Sequence, residues 1–367
     1  MFKIKNIETY IIQVPLLVPL KMSGVHIEHC DNTVVKITAN NGKVGWGEAP
    51  YAPFFNGETS RGMVAAIDFM KDRLQGKEIL QQSDIKDVIS STIYGNSGAK
   101  SAIDMALYDL SGKSEDKPLY ETLGGAKRDK VPMIWLVAGG DDEFKLLAEK
   151  VDQGFVSFKV KVGTNNVHED IERSYQAQRI LDHNYTLSAD ANQGFNRSDA
   201  LIFASKTGDI GLDFFEQPVT GKDIDTMVEC NARSYAPIGV DEGIHNIDDI
   251  KIHHDRKAAN GGSLKMIKFG GVAQLFEAAN LMHSYDMHIN LAGKAANTSI
   301  GSAAIAHFTR ALPSLDWDAS LSSQYLSDDI AENPVKVIEG HIITPDDGPG
   351  LGINIDEDKL NQYSIKL

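Results

Sequence analysis

A short β-branched run, Ser157-Phe158-Lys159-Val160-Lys161-Val162-Gly163, is the first of five similar segments in the second half of the chain. Each segment is apolar and turns charged or polar near its end. The other four are Ser188-Ala189-Asp190-Ala191-Asn192, Phe214-Phe215-Glu216-Gln217-Pro218, Gly239-Val240-Asp241-Glu242 and Leu264-Lys265-Met266-Ile267-Lys268-Phe269-Gly270-Gly271. From Lys161 through Asp190, Glu216 and Asp241 to Lys265 the steps are 29, 26, 25 and 24 residues. A strand, a helix and two loops need about that many residues, so the spacing predicts successive βα units.

The alternation of strand and helix continues from Pro132 to about Ser320. Strands are predicted at 133–138, 158–162, 186–189, 213–216, 238–240, 264–269, 288–291 and 315–319, with helical patterns between them. Eight such strands are the number that closes a parallel barrel, and the carboxyl ends of its strands meet at one mouth. We therefore expect three carboxylates and two lysines to surround a single pocket.

The first third of the chain has a different pattern. Strands are predicted at 4–14, 32–38 and 43–48, the last two joined by the turn Asn40-Asn41-Gly42, and 16–29 reads as a loop. Helical spacing follows at 61–74, 85–93 and 97–111. The predicted organisation is an α+β domain over 1–128, a barrel over 129–330, and a hairpin-like tail over 331–367 that returns to the first domain.

Composition excludes several classes of protein. A formal charge of −15 over 367 residues offers no basic face for nucleic acid. Cys30 and Cys230 are far apart and lack a ligand spacing, so neither a disulfide framework nor a zinc site is expected. The chain opens without a signal-peptide pattern and has no run of 18 apolar residues, so we expect a cytoplasmic protein that does not engage the membrane.

The predicted pocket has the residue types for removing a proton from a carbon acid. Asp190, Glu216 and Asp241 supply hard oxygen ligands that suit Mg²⁺ or Mn²⁺, and the lack of histidine disfavours zinc. Burial and a nearby cation lower the pKa of a lysine, which makes Lys161 and Lys265 candidate acid/base groups. A metal would hold a substrate carboxylate and stabilise the enediolate formed when its α-proton leaves. Lys159 lies on the same strand face and would raise the local positive potential around Lys161.

These motifs resemble the enolase superfamily, in its muconate lactonizing enzyme subgroup (the mandelate racemase/muconate lactonizing enzyme family). The resemblance extends over nearly the whole chain, including Gly348-Pro349-Gly350-Leu351-Gly352-Ile353 in the tail. It implies an α/β fold, a modified TIM barrel of the (β/α)7β type with an N-terminal α+β capping domain.

The resemblance also assigns roles. It implies Mg²⁺ held by Asp190, Glu216 and Asp241, and acid/base lysines at Lys161 and Lys265. In the subgroup the first lysine of the sixth-strand motif is the catalytic one, which selects Lys265 over Lys268. The residues that would support the metal site are Asn192, Glu242 and Lys268. Family members form dimers and octamers, so a homo-oligomer is expected.

The resemblance leaves the net reaction open. Lysines on two faces of a substrate favour an isomerase, a racemase or epimerase acting on a small-molecule carboxylate. Its substrate would be amino-acid-derived: a dipeptide, an N-acyl amino acid or a proline-type betaine. The alternatives are a lyase of the same family, either a muconate cycloisomerase or a hydroxy-acid dehydratase, and a barrel that binds a carboxylate without catalysis.

Three stretches bear on the substrate. Asp316 and Asp318 share one strand face and would bind a cationic substrate, as in dipeptide epimerases of the subgroup. If Trp317 faces inward instead, it would hold an ammonium by cation–π attraction. Alternatively, the three residues only pack at the barrel rim.

Lys294 stands where subgroup members often carry an acid, and would either bind a second anionic group or be solvated. The capping loops contribute a further set of candidate substrate contacts: His26, Tyr51, Phe54 and Phe55.

Overall fold

The computed structural model describes residues 2–22, 25–53, 55–79, 82–294, 296–345 and 348–366. Its strands are β1 (Ile4–Ile12), β2 (Pro15–Met22), β3 (Val25–His29), β4 (Asn32–Ala39), β5 (Val44–Pro50), β6 (Val131–Pro132), β7 (Ile134–Val137), β8 (Ser157–Lys161), β9 (Thr186–Asp190), β10 (Phe214–Glu216), β11 (Ile238–Val240), β12 (Gly261–Leu264), β13 (His288–Ala292), β14 (Ala319–Ser320), β15 (Lys336–Ile338), β16 (His341–Ile343) and β17 (Ser364–Ile365). Its helices are α1 (Ser60–Leu74), α2 (Gln82–Thr92), α3 (Ser97–Glu115), α4 (Leu119–Thr122), α5 (Glu143–Asp152), α6 (Val167–Leu181), α7 (Arg197–Ala204), α8 (Thr207–Ile210), α9 (Ile224–Arg233), α10 (Ile247–Asp255), α11 (Met266–Phe269), α12 (Val272–Ser284), α13 (Ser299–Ala311) and α14 (Glu357–Tyr363).

The strands β7 to β14 form the predicted parallel barrel. Within the described ranges they make one eight-stranded sheet in chain order, and a parallel bridge between Met133 and Ala319 brings its two edges together. Helices follow the strands and cover the outside of the sheet. Strands such as β10 and β12 are buried along their whole length, as expected for a sheet covered on both faces. The predicted barrel is confirmed.

Two predicted barrel strands have the wrong bounds. The sixth strand, β12, ends at Leu264, and 266–269 form the helical turn α11 instead of continuing the strand. Ile267 in this turn is buried in the core of the N-terminal domain, which draws the chain away from the barrel. The eighth strand, β14, is Ala319–Ser320 and not 315–319.

The N-terminal domain is a four-stranded antiparallel sheet with α1, α2 and α3 on one side. The strand order is β17-β1-β4-β5, so the last strand of the tail pairs with the first strand of the chain. The glycines of β5 let α3 lie directly on the sheet. A Cβ added at Gly45 would lie 2.1 Å from Ala106 O, and one at Gly47 would lie 2.0 Å from Ala102 O.

The region predicted as a loop at 16–29 instead contains two paired strands. Strands β2 and β3 pair antiparallel, with a register shift between Pro15 and Leu20. This ribbon is a two-stranded sheet of its own. Of the helices in the described parts of the chain, none has both the length and the apolar character that crossing a bilayer requires.

Candidate active site

Three buried carboxylates lie at the ends of consecutive barrel strands. Asp190 is the last residue of β9, Glu216 is the last residue of β10, and Asp241 directly follows β11. Asp190 and Glu216 are register partners across the sheet. The three residues are 3%, 2% and 1% exposed. So much buried negative charge is stable only when cations or several donors satisfy it.

Lysine amines contact each of these carboxylates. Lys161, the last residue of β8, donates to Asp190 Oδ2 at 2.6 Å and to Asn192 Oδ1 at 2.7 Å. Lys159 points into the barrel and pairs with Glu216. Lys265 follows β12 and pairs with Asp241. The structure thus brings together the predicted catalytic and metal-binding residues at one mouth.

The two candidate acid/base lysines lie on opposite sides of this mouth. Lys161 ends the second strand of the barrel and Lys265 follows the sixth. In a closed sheet of eight strands, positions two and six face each other across the axis. The carboxylates lie on the third, fourth and fifth strands between them.

In this arrangement the two lysines are held as ammonium groups. Burial favours a lower pKa for Lys161, but the adjacent Asp190 carboxylate outweighs it and the net pKa is raised. The pKa of Lys265 is raised in the same way by Asp241 and Glu242 against the effect of burial. Paired with these carboxylates, both amines have raised pKa values, and the lowering expected beside a bound metal ion stays a prediction.

Asn192 and Glu242 complete the mouth. Asn192 Nδ2 donates to Glu242 Oε1 at 3.1 Å, and Asn192 N donates to Asp190 Oδ1 at 2.9 Å. Burial and the neighbouring charges of Asp241 and Asp190 raise the pKa of Glu242 to about 7. In the described structure Glu242 Oε2 is buried without a hydrogen-bond partner.

The acidic residues fit a divalent ion by chemistry. No three Asp, Glu, His or Cys side chains of the described residues are grouped to hold a metal ion as they stand, because each carboxylate is turned to a lysine. The donor set nevertheless consists of hard carboxylate oxygens, and the orphaned oxygen of Glu242 lies beside them. Carboxylate oxygens of this kind are the ligands that Mg²⁺ or Mn²⁺ prefers. Metal binding by Asp190, Glu216 and Asp241 stays a prediction.

Lys268 holds Asp241 in place. Its amine donates to Asp241 Oδ1 at 2.9 Å, to Asp241 O at 2.7 Å and to Ser263 O at 2.6 Å. Burial, together with the charge of Lys265, lowers the pKa of this amine. All three N–H donors of the ammonium are used within the protein, as befits a supporting residue.

Asp316, Trp317 and Asp318 lie at the other end of the barrel, and the prediction that they face the pocket is wrong. Asp316 accepts from the backbone N–H of Ile289 at 3.1 Å and contacts His288, the first residue of β13. Trp317 is 6% exposed and stacks on Phe214 with ring centroids 4.1 Å apart. Because β14 begins only at Ala319, these three residues precede the strand and form the floor of the barrel.

The remaining substrate candidates divide between the mouth and the surface. Lys294 follows β13 and lines one cavity together with Lys265. The ring of Phe55 lies 4.9 Å from Lys265 Nζ, so the capping loop reaches the mouth. Tyr51 is 42% exposed. Phe54 and the side chain of His26 lie outside the described residues.

Sequence reasoning missed two polar residues beneath the carboxylates. Ser263 Oγ contacts Glu216 and lies 2.8 Å from Asn290 Oδ1. Both residues are buried at adjacent register positions of β12 and β13. Ser263 stands two residues before Lys265, as Lys159 does before Lys161, and this period of two could have identified it.

Fold and site together define a (β/α)-barrel enzyme with an acidic mouth between two lysines. A family model described as "Enolase C-terminal domain-like" matches residues 143–359. The model "Mandelate racemase / muconate lactonizing enzyme, N-terminal domain" matches residues 6–124. The chain belongs to the enolase superfamily, in its muconate lactonizing enzyme subgroup. Enzymes of this family are generally dependent on divalent metal ions.

Relatives with different activities resemble the chain over its full length. It is 28% identical to an N-succinyl-L-Arg/Lys racemase from Bacillus cereus, covering 99% of this chain and 98% of the relative. It is 27% identical to a chloromuconate cycloisomerase from Cupriavidus pinatubonensis, covering 96% of each. The crystal structure of a muconate lactonizing enzyme from Pseudomonas fluorescens in complex with muconolactone superposes with a TM-score of 0.94 at 28% identity, covering 99% of both chains. The protein is thus an enolase-superfamily enzyme of the racemase and cycloisomerase type.

Proposed function

We propose that the protein is a Mg²⁺-dependent racemase or epimerase that inverts the α-carbon of an N-acyl amino acid. The observation that carries this proposal is the placement of Lys161 and Lys265 on opposite sides of one mouth. A substrate held between them presents its α-proton to one amine and its other face to the second. Inversion is the direct outcome of removing a proton on one face and returning one on the other.

The residues around the mouth have separate roles in the proposed reaction. A bound Mg²⁺ would supply positive charge that stabilises the carboxylate of the substrate as its α-proton leaves. If Asp190 and Asp241 hold that ion, Lys161 and Lys265 would lose the partners that keep them protonated. Asn192 remains within 2.7 Å of Lys161 and orients its amine. Phe55 lies over Lys265 and excludes water from that side.

The location of Asp316, Trp317 and Asp318 at the barrel floor reduces the number of candidate substrate classes. Asp316, Asp318 and Trp317 were the residues that favoured a dipeptide or a betaine, and they lie away from the mouth. An N-acyl amino acid has no free ammonium and needs no such partner. The similarity to an N-succinyl-L-Arg/Lys racemase supports the same class, so N-succinyl amino acids are the substrates to test first.

The test is proton exchange in D₂O with both enantiomers of an N-succinyl amino acid. The Mg²⁺-loaded enzyme should interconvert them and introduce one deuterium at the α-carbon. Lys161→Ala and Lys265→Ala should each reduce inversion by roughly 10²- to 10⁴-fold. Each variant should still exchange the α-proton of one enantiomer, and the two variants should differ in which one. Lys145→Ala, at a side chain that is 72% exposed, is the control.

Two results would overturn the assignment. If both lysine variants still racemise the substrate, the amines are not the bases. If the enzyme converts muconate to a lactone and exchanges no α-proton of an N-acyl amino acid, the cycloisomerase activity of its relatives is the correct one.

A further inference from the structure

A largely buried ion network lies behind Lys161, between its strand β8 and the helices α5 and α6. Arg173 Nε and Nη2, in α6, donate to Glu143 Oε1 and Oε2, at the start of α5, at 2.9 and 2.8 Å. Arg173 Nη1 donates to Asp170 Oδ1 at 3.0 Å. Asp170 is fully buried and Glu143 is 8% exposed. Burying so many charges adds little stability in itself, and its better-supported effect is to fix one conformation.

The network holds the two peptide groups that follow Lys161. The carbonyl oxygen of Lys161 accepts from Arg173 Nη1 at 2.9 Å, and the N–H of Gly163 donates to Asp170 Oδ2 at 2.7 Å. The pairing of β7 with β8 ends at Val160, so the carbonyl of Lys161 lies beyond the strand ladder on that side. Side chains of α6 therefore replace the backbone partners that a longer β7 would supply.

The same turn fixes Lys161 relative to the groups that its amine contacts. Gly163 has a φ of +84°, and a Cβ there would lie 2.9 Å from Ala191 O. Ala191 stands between Asp190 and Asn192, the two residues that accept from Lys161 Nζ. The network thus presses the end of β8 against the loop that carries these two acceptors.

Lys265 is held in a different way. Its carbonyl oxygen accepts from the backbone N–H of Lys268 at 3.0 Å, within the turn α11. Ile267 of this turn is buried in the core of the N-terminal domain. The backbone of Lys265 therefore depends on its own turn and on the capping domain, whereas that of Lys161 depends on α5 and α6. A change at Arg173 should reach one lysine and not the other.

We infer that Arg173, supported by Asp170 and Glu143, is a positioning residue for Lys161 and controls proton transfer on one face of the substrate only. The inference rests on the proposed function and adds a determinant of its rate for one enantiomer. A lysine side chain is a flexible stem, so the direction of its amine depends on a fixed backbone. A displacement of about 1 Å at a reacting group can cost roughly 100-fold in rate.

The test follows α-proton exchange in D₂O separately for each enantiomer of an N-succinyl amino acid, with the Mg²⁺-loaded enzyme. Racemisation alone would not serve, because enantiomers have equal free energies and their rates of interconversion must fall together. Lys161→Ala first shows which enantiomer depends on Lys161. Arg173→Lys should slow the exchange of that enantiomer roughly 10- to 100-fold and leave the exchange of the other unchanged. Glu143→Gln, which removes one acceptor from the guanidinium, should show the same selectivity to a smaller extent.

Arg179→Lys is the matched control. It makes the same substitution in the same helix, at an ion pair with Glu172 on the surface, and should exchange both enantiomers like the native enzyme. Equal slowing of both enantiomers by Arg173→Lys would mean that the network only supports the fold. If Arg173→Lys slows neither, the network does not position Lys161, and the proposed function stands.

Amide hydrogen exchange of the segment 161–164, followed by mass spectrometry, tests the network without a substrate. It should be roughly 10-fold faster or more in Arg173→Lys than in the native protein, the size expected for a lost hydrogen bond to a charged group. Arg179→Lys should leave it unchanged. If the native enzyme exchanges no α-proton of an N-acyl amino acid but Arg173→Lys loosens this segment, the proposed reaction is wrong and the hold of the network on Lys161 stands. If the segment also exchanges at the native rate, both are wrong.

Discussion

Lys265 and Lys268 both contact Asp241, but their surroundings give the two amines different capacities. Lys268 donates to three oxygens at 2.6 to 2.9 Å and is fully enclosed. Lys265 is bound to a single carboxylate oxygen and faces Phe55 and the mouth. An amine whose donors are all used cannot take up a substrate proton without breaking its site. The environments of the two amines thus give a physical reason why Lys265, and not Lys268, is the predicted catalytic lysine.

Replacing Lys268 by methionine should destabilise the protein. The substitution leaves Asp241 and Ser263 O without their buried donor, and breaking a buried ion pair on one side costs about 3 kcal/mol or more. Urea unfolding in EDTA measures the effect without competition from a metal ion. Lys251→Met, which breaks an ion pair with Asp248 on the surface, is the matched control and should unfold like the native protein. A Lys268→Met variant as stable as this control would show that the amine does not support Asp241.

At the scale of elements, the barrel floor explains glycines whose role the sequence did not reveal. The indole of Trp317 lies between Phe214 and His288, with ring centroids 4.1 Å and 5.0 Å away. A Cβ at Gly261 would lie 2.7 Å from this ring, and one at Gly239 would lie 3.1 Å from it. The missing side chains at Gly239 in β11 and at Gly261, the first residue of β12, therefore make room for the indole that closes the barrel.

Trp317→Ala tests whether this residue stabilises the barrel floor or binds the substrate. It should lower the free energy of unfolding by about 3–5 kcal/mol, as expected for a large aromatic residue removed from a core. The KM for the substrate should stay unchanged, since the indole lies at the opposite end of the strands from Lys161. Phe55→Ala should behave in the opposite way, with impaired turnover and little loss of stability, because its ring borders Lys265 at the mouth. A rise in KM for Trp317→Ala with unchanged stability would show instead that the tryptophan contacts the substrate.

The sequence predicted the mouth of the barrel well and its floor badly, for a physical reason. Charged residues at the ends of apolar runs mark where a strand leaves the sheet, so Asp190, Glu216 and Lys161 were placed correctly. Alternation along a strand determines which face a residue occupies but not its height along the barrel axis. The eighth strand was predicted at 315–319 but lies at Ala319–Ser320. This difference of a few residues puts Asp316 and Asp318 at the opposite end of the barrel from the one predicted. The pairing of each carboxylate with a lysine depends on contacts between strands, which no local pattern contains.

At the scale of the whole molecule, several contacts join the capping domain to the barrel near the site. Glu48 at β5 accepts from the backbone N–H of Gly301 in α13, and Asp104 in α3 accepts from Val272 N at the start of α12 at 2.6 Å. Gly271 makes the second contact possible, because a Cβ there would lie 2.3 Å from Asp104 Oδ2. The Gly270-Gly271 pair that follows the sixth-strand lysines thus serves the docking of α3.

The buried contact between Asp104 and the backbone N–H of Val272 should make the free energy of unfolding depend on pH. Burial raises the pKa of Asp104 from 3.8 to about 7 in the folded protein. The folded state therefore binds more protons than the unfolded state between about pH 4 and pH 7, and its stability falls as the pH rises through that window. The loss from this group is at most about 4 kcal/mol, from three pKa units at 1.36 kcal/mol each.

Asp104→Asn isolates this contribution. The amide keeps an oxygen to accept from Val272 N but does not titrate, so the variant should gain stability relative to the native protein as the pH rises from 5 to 8. Urea unfolding at several pH values measures the difference, in which titrations shared by both proteins cancel. Asp209→Asn, at an exposed side chain of α8 that pairs with Lys206, should show no such trend. A difference between Asp104→Asn and the native protein that is constant over this range would mean that Asp104 is charged in the folded state, with the α12 N-terminus supplying enough donors to keep it so.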